Sequence, residues 1–289
     1  HYKLFWIKKG NQIKAGIVLI LNEKGDQIIL DDLVIHSGLM FAEDNIQKKS
    51  KEKSEHFEIT EFVINYLDKN YSRISIALSP KFEDMRPFLW HNYHLDDRYA
   101  TYSLDLRYTS RLDISELFLQ KTDEKNTLFC NMDSKRQTDV QRAIESGLKF
   151  STSHNSDDLL ELYKLTMINQ GQSISDEKIY RMKLLIEGLE LRHSLYICSV
   201  ENKKGLLTYM TAFTVDNNFS YYLFGAGNPN LMERYDGTFC IWNSFKELSK
   251  LGVSNIDMEG INSPKRGSFK LSFGGEIEPY YHVLNGSII

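Results

Sequence analysis

Residues 220–242, SYYLFGAGNPNLMERYDGTFCIW, decide how the rest of the chain is read. Aromatic and branched residues over 219–224 predict a buried strand, which Gly225, Gly227 and Pro229 are expected to end. Asp236 is then placed to cap a helix whose apolar face is Phe239, Trp242, Phe245 and Leu248. Main-chain groups beyond such a strand, and the unpaired N–H groups at the start of such a helix, can hold a carbonyl or a phosphate without any side chain. The same stretch also fits an ordinary strand-to-helix turn.

Further strands and helices surround that stretch. Leu195, Ile197 and Val200 open one strand, a second covers 206–215, and the turns NKKG and DNN join them to the strand at 219–224. Upstream, Leu128, Met132, Val140 and Ile144 recur every four positions and predict one helix over 126–146 ended by Gly147, with Arg136 inside the apolar stripe. A strand over 148–153 follows. A helix capped by Asn155 or Ser156 and closed by Gly171 comes next, then one capped by Ser175. Downstream lie a strand over 255–258, a short helix opened by Ser263-Pro264, and a final strand through 280–284.

The first hundred residues carry strands over 3–7, 13–21 and 27–35, then a polar loop containing the KKSKEK run at 48–53. Thr60 is expected to cap a helix to about residue 67, followed by strands over 73–78 and 99–106 with a short helix between them at FEDMRPFLWHNY. Laid beside the second half, these elements repeat its last seven in the same order at an offset of about 180 residues. The order predicts an α/β (α+β) chain in two units, 1–108 incomplete and 109–289 complete.

Composition narrows the class. The 289 residues are 42% hydrophobic and 26% charged, with net charge −4, enough for one large core or two smaller ones and without a nucleic-acid footprint. Cys130, Cys198 and Cys240 have no metal-ligand spacing and read as small buried side chains in a reducing compartment. The eight histidines form no metal-ligand pair, and no Ser-His-Asp arrangement is present, so no metal is expected. No apolar run approaches the roughly 18 to 20 residues of a membrane span, and the opening HYKLFWIKKG reads as a strand, so a cytoplasmic protein is expected.

The order strand, two helices, three antiparallel strands, helix, strand, helix, strand resembles the GNAT acyltransferase fold. With DMRPFLWHNY at 84–93, SKRQTDVQRAIESGLKF at 134–150 and YYLFGAGNPN at 221–230, the chain resembles the FemAB-like branch of that superfamily. That branch contains bacterial acyltransferases and the peptidyltransferases that build cell-wall cross-bridges. The resemblance implies two tandem GNAT-like domains with mixed, largely antiparallel sheets flanked by helices, the first truncated. Two departures bear on the donor. The long helical hairpin of the tRNA-using members has no counterpart here, and only one glycine stands in NLMERYDG where simpler GNAT enzymes have a glycine-rich pyrophosphate loop. Together with the acidic balance the first departure argues against tRNA as donor, without excluding it.

The resemblance implies an acyl donor lying where strands 219–224 and 255–258 splay, with the oxyanion facing main-chain N–H groups near Leu223, Phe224 and Gly225, and with Asp236, Gly237 and Thr238 at the donor's side. It implies acyl-CoA or an acyl-carrier protein thioester as co-substrate and a small amine as acceptor. Acyl transfer to an amine needs a base, and Glu259, at the strand's carboxyl end before Gly260, is the preferred one, with Asp257 as competitor. Either acid also fits a local cap or salt bridge. Arg136 suits a substrate phosphate or carboxylate, or a buried ion pair with a neighbouring acid. Arg266 and Lys270 form a basic face one turn apart, fit for phosphates or merely solvated. Arg86, Trp90, His91 and Tyr93, with Tyr222 and Trp242, are expected to line an acceptor cleft if the repeat holds; aromatics at such spacing are otherwise core.

Overall fold

The computed structural model describes residues 1–43, 48–95, 101–119, 123, 126–153 and 155–285. The chain divides into two compact units, His1–Tyr108 with Glu278–Ile289, and Thr109–Ile277. The final strand thus groups with the first unit, where the sequence order runs the second unit on to residue 289.

In the first unit β1 (Tyr2–Lys9), β2 (Gln12–Ile20) and β3 (Gly38–Phe41) form an antiparallel three-stranded sheet in that order. Residues 27–35 make only isolated bridges and are not the strand their composition predicts. The Asp31 carboxylate takes the Leu33 N–H at 2.8 Å, a local turn that competes with extended pairing. The polar loop expected at 48–53 is instead the first turns of α1 (Lys49–Asn70). Lys, Glu and Ser there have adequate helix propensity but no apolar stripe to announce it. Thr60 does not cap this helix. It is buried inside it, with its hydroxyl donating to the His56 carbonyl at 2.7 Å, and Val63, Ile64 and Leu67 continue the buried face.

β4 (Ile74–Ala77) follows, then α2 (Arg86–Trp90) with Pro87 in its first turn, then β5 (Tyr102–Asp113), whose residues 102–108 belong to this unit. Residues 99 and 100 of the strand expected over 99–106 lie outside the described residues. β4 pairs antiparallel with the last strand, whose span is Glu276–Asn285. Leu19, Ile28, Ile64, Leu67, Ile76, Leu78 and Val283 make the core of the unit.

The second unit opens on the rest of β5, residues 109–113. Where periodicity predicts one helix over 126–146, two form: α3 (Thr127–Asn131) and α4 (Ser134–Glu145). Met132 is extended between them and the Asp133 carboxylate caps α4 by accepting the Lys135 N–H at 2.8 Å. β6 (Lys149–Ser153), α5 (Ser156–Asn169), α6 (Asp176–Leu191), β7 (Leu195–Glu201), β8 (Leu207–Asp216), β9 (Phe219–Gly227), α7 (Asp236–Lys250), β10 (Asn255–Asp257) and α8 (Pro264–Leu271) complete it, before β11 (Glu276–Asn285). The strand order is β5, β10, β9, β8, β7, β6, antiparallel throughout except for the parallel pair β9 and β10. Asn155 and Ser175 cap α5 and α6 through their side chains, as their positions predict.

α7 organises the core of this unit. Trp242, Phe245 and Leu248 have no exposed surface and pack with Phe213, Met258 and Phe273. Burying that many large apolar side chains contributes roughly 1.5 to 3 kcal/mol each. Cys198 and Cys240 are buried in the same core, while Cys130 is exposed, contrary to its expected burial.

Candidate active site at the split between two strands

Parallel pairing between β9 and β10 begins at Phe219 and Asn255 and stops at Tyr221 and Asp257, while β9 continues to Gly227. The two strands therefore part company in the middle of a sheet. Opposite β8 the register slips, so that Ala212 faces Phe224 while Phe213 faces Tyr222. Leu223 is the extra residue, and such a bulge bends its strand and re-aims the residues beyond it. Gly227 gives its N–H to the Thr166 hydroxyl at 3.1 Å and accepts that hydroxyl's proton at 3.0 Å, so its main chain faces away from β8. Gly225, two residues earlier, presents its N–H to the same side by strand alternation. Leu223, Phe224 and Gly225 thus lie at the mouth of the split.

Gly225 lies inside β9 and does not end it, while Gly227 is its last residue. A Cβ on Gly225 would strike the Tyr222 hydroxyl and come within 2.5 Å of the Tyr209 hydroxyl; one on Gly227 would meet the Met232 sulfur and the Tyr209 ring. A Cβ on Gly237 would meet that ring at 3.0 Å. Tyr209, which no sequence pattern singles out, therefore fills the space between the end of β9 and the start of α7. Its hydroxyl hydrogen-bonds Tyr222, and burial raises both phenols, Tyr222 to about 12. Gly225→Val is accordingly expected to cost about 1 to 3 kcal/mol through overpacking, seen as a lowered melting temperature, whatever it does to a donor. An unchanged melting temperature would mean that the two rings move aside freely.

Asp236 does not cap α7. Tyr235 holds the N-cap position, and Asp236 is the first helical residue, with 1% of its surface exposed. Burial raises its carboxyl, with the Thr208 hydroxyl working in the other direction. Thr238 is fully buried and accepts a hydrogen bond from Arg136 Nη1 at 2.5 Å. The Asp236 and Thr238 side chains thus turn into the protein, which leaves only main-chain groups of 236–238 to face a donor. Trp242, expected to line an acceptor cleft, is fully buried with its ring 5.3 Å from Phe129. A helix carrying a wide apolar face puts such a residue in the core.

Arg136 has a protein carboxylate as partner. Its Nη1 lies 3.1 Å from Asp139 Oδ2, one turn along α4, and its guanidinium sits 5.3 Å over the Phe269 ring. Asp139 is fully buried and also meets Arg234 at 3.4 Å. A charge that cannot neutralise itself has been buried with a counter-charge, as it must be.

The acids after β10 behave differently from each other. Asp257 is buried, and its Oδ1 accepts both the Thr109 hydroxyl and the Glu259 N–H, the latter at 2.7 Å. Asp257 is therefore a local cap. Glu259 has φ of 59°, a left-handed conformation uncommon for a residue with a Cβ, so strand alternation does not govern where its carboxyl goes. Burial raises that carboxyl to about 8; the Lys270 charge opposes the shift and the Asp257 charge adds to it. Lys270, from α8, donates to the Gly260 carbonyl at 3.3 Å and lies 5.4 Å over the Tyr222 ring. Burial lowers the pKa of its ammonium, Glu259 and Asp257 raise it, and Arg266 lowers it further. Glu259, Lys270 and Tyr222 are thus brought together, with Arg266 exposed one turn away.

Arg86, Trp90, His91 and Tyr93 belong to the first unit. Arg86 pairs with Asp84 at 2.6 Å and lies over the rings of Phe57 and Trp90. His91 bonds Asp68, which also accepts the Tyr102 hydroxyl at 2.8 Å. Trp90 and Tyr93 are exposed. Among the described residues no group of three His, Cys, Asp or Glu could hold a metal ion, and no helix is long and apolar enough to cross a membrane.

The sequence matches no protein-family model. No curated protein matches it either. Solved structures do. FemX superposes with a TM-score of 0.64 at 12% identity, over 97% of this chain and 87% of FemX. L-PGS from Bacillus licheniformis gives 0.57 at 12% identity, over 98% and 83%. A tandem GNAT protein from the clavulanic acid biosynthesis pathway gives 0.54 at 10% identity, over 99% and 82%. Likeness at such low identity is likeness of fold: the chain has the fold of FemX, which it shares with the tandem GNAT protein of the clavulanic acid pathway.

Proposed function

We propose that the protein is an N-acyltransferase that moves an acyl group from a thioester, acyl-CoA or acyl-carrier protein, to the amine of a small anionic acceptor such as an amino sugar nucleotide or an amino acid. One observation carries this: a half-buried carboxyl, Glu259, follows the end of β10 where β9 and β10 split, and strand alternation from Gly227 turns the Gly225 main-chain N–H away from β8, to the side of the split. The thioester carbonyl oxygen rests against that N–H, which stabilises the oxyanion that develops on it. Glu259 in its carboxylate form takes the proton from the attacking amine nitrogen as the carbon–nitrogen bond forms. The carbon–sulfur bond then breaks and the sulfur leaves as thiolate, which becomes the free thiol with the proton that Glu259 gives up as it returns to the carboxylate. Lys270 and Arg266 attract the acceptor's negative group, and Tyr222 lies under Lys270. Fold likeness to GNAT proteins supports the reaction class, and the repeated element order supports the first unit being a truncated copy of the second. A cytoplasmic location accompanies this reading.

The test is amine-dependent release of free thiol across a panel of acyl-CoA and acyl-carrier protein donors. Release with at least one pair is expected; silence with every donor would remove the proposal. Binding that shifts the melting temperature without turnover would point instead to a non-catalytic module. A second reading, aminoacyl transfer from tRNA to a cell-wall precursor, draws support from the likeness to FemX over most of both chains. Loss of activity after ribonuclease treatment would favour it over the first.

A further inference from the structure

We propose that Thr109 is a positioning residue for Glu259, acting through Asp257, an inference that rests on Glu259 being the base of the proposed reaction. Glu259 leaves β10 with φ of 59°, a backbone state that its surroundings must hold in place. The contact that holds it is the hydrogen bond from its own N–H to Asp257 Oδ1, 2.7 Å long, which closes a tight turn over Met258. Asp257 can fix that turn only if its carboxylate is itself fixed, and the Thr109 hydroxyl donates to the same oxygen. Thr109 has no exposed surface and sits on β5, which pairs with β10 through Arg111 and Asp257. The next residue, Ser110, accepts the Met258 N–H at 2.8 Å. β5 thus sets β10 and the turn beyond it twice, by main chain at Ser110 and by side chain at Thr109.

The groups facing Glu259 are Asp257 on its own strand, Lys270 on α8 with Arg266 behind it, and Tyr221 and Tyr222 on β9. Of these only Asp257 touches Thr109. Without the hydroxyl the Asp257 carboxylate loses a donor and the turn loosens. The loosened turn eases Glu259 toward water and toward an ordinary carboxyl titration, and this outweighs the Asp257 charge that the lost donor leaves less compensated.

The experiment compares Thr109→Val, Thr109→Ala and Thr109→Ser in the full chain. Carbon NMR follows the Glu259 side-chain carboxyl through a pH titration, and kcat and KM are measured with the acyl donor and amine that give turnover. In the valine variant the Glu259 midpoint is expected to move down by at least about one unit, with kcat lower by about 10²-fold and KM nearly unchanged. Serine, which keeps the hydroxyl, is expected to restore both. Alanine, which sets no methyl against the carboxylate, should repeat the valine result and stands in for it if valine does not fold. A midpoint and kcat unchanged in valine and alanine would overturn the proposal, as would equal losses in serine, which would mark a packing effect. A midpoint that moves and is restored by serine in a protein without turnover on any donor would uphold the positioning while removing the acyltransfer reading.

Discussion

Arg136→Met is expected to lower the stability of the second unit by about 3 kcal/mol, the lower end of what breaking a buried ion pair costs. The guanidinium is held by Asp139 at 3.1 Å and by Thr238, and both partners are fully buried. Methionine fills much of the same volume over Phe269, so lost packing is a small part of the change. The larger part is the acid left behind: Asp139 keeps only the longer contacts from Arg234 at 3.4 Å and from the Thr238 hydroxyl at 3.5 Å. An under-paired buried carboxylate is costly, and for a unit of this size the melting temperature should fall by about 6 to 12 °C. The double variant with Asp139→Leu should recover most of that loss, because the pair is replaced by apolar contact and no charge is stranded. Acceptor affinity should not change in either protein. A single variant as stable as the parent, binding acceptor more weakly, would return Arg136 to the substrate site.

Legibility in the sequence tracks the strength of the local pattern. The strands and helices after residue 155 are legible because apolar periodicity, caps at Asn155 and Ser175, and turns at 202–205 and 216–218 agree with one another. Where a single signal stands alone it misleads. Thr60 looks like a cap because it precedes an apolar stripe, but a Thr inside a helix can satisfy its hydroxyl on the preceding turn, and the polar residues before it have enough propensity to carry α1 back to Lys49. The glycines of β9 look like strand enders because glycine frees the backbone, and the same lack of a side chain also makes room for a neighbour's ring; only the three-dimensional pairing with Tyr209 decides between these. Of the candidate site, Glu259 and Lys270 are visible as charges at element ends, and the structure brings them beside Tyr222. Thr109 is not, since its contact with Asp257 spans 148 residues of sequence and a Thr in a strand is commonplace.

Glu259→Gln should lower kcat/KM by about 10² to 10⁴, the usual contribution of a positioned base. Its pH behaviour tells this apart from a structural role. Burial holds the Glu259 carboxyl protonated up to about 8, so the carboxylate that accepts the amine's proton is the minor form at neutral pH. With an acceptor whose own amine titrates well below 8, the wild-type rate is expected to rise with pH through about 8 and then level off, while the glutamine variant shows no such limb. Stability moves the other way. Between the ordinary glutamate range near 4.5 and about 8 the native protein keeps a proton that the unfolded chain has released, so this group makes folding less favourable as pH rises across that window. Lys270, whose pKa burial lowers, acts oppositely toward alkaline pH and is present in both proteins. Glutamine cannot ionise, so the variant should escape the glutamate-linked loss, its melting temperature gaining on the wild type as pH climbs from 5 to 8. Lower activity with relatively higher stability at pH 8 is the pattern of a charge kept in place for chemistry. A variant that keeps the wild-type rate and pH limb would take Glu259 out of the reaction and leave Lys270 as the group to explain.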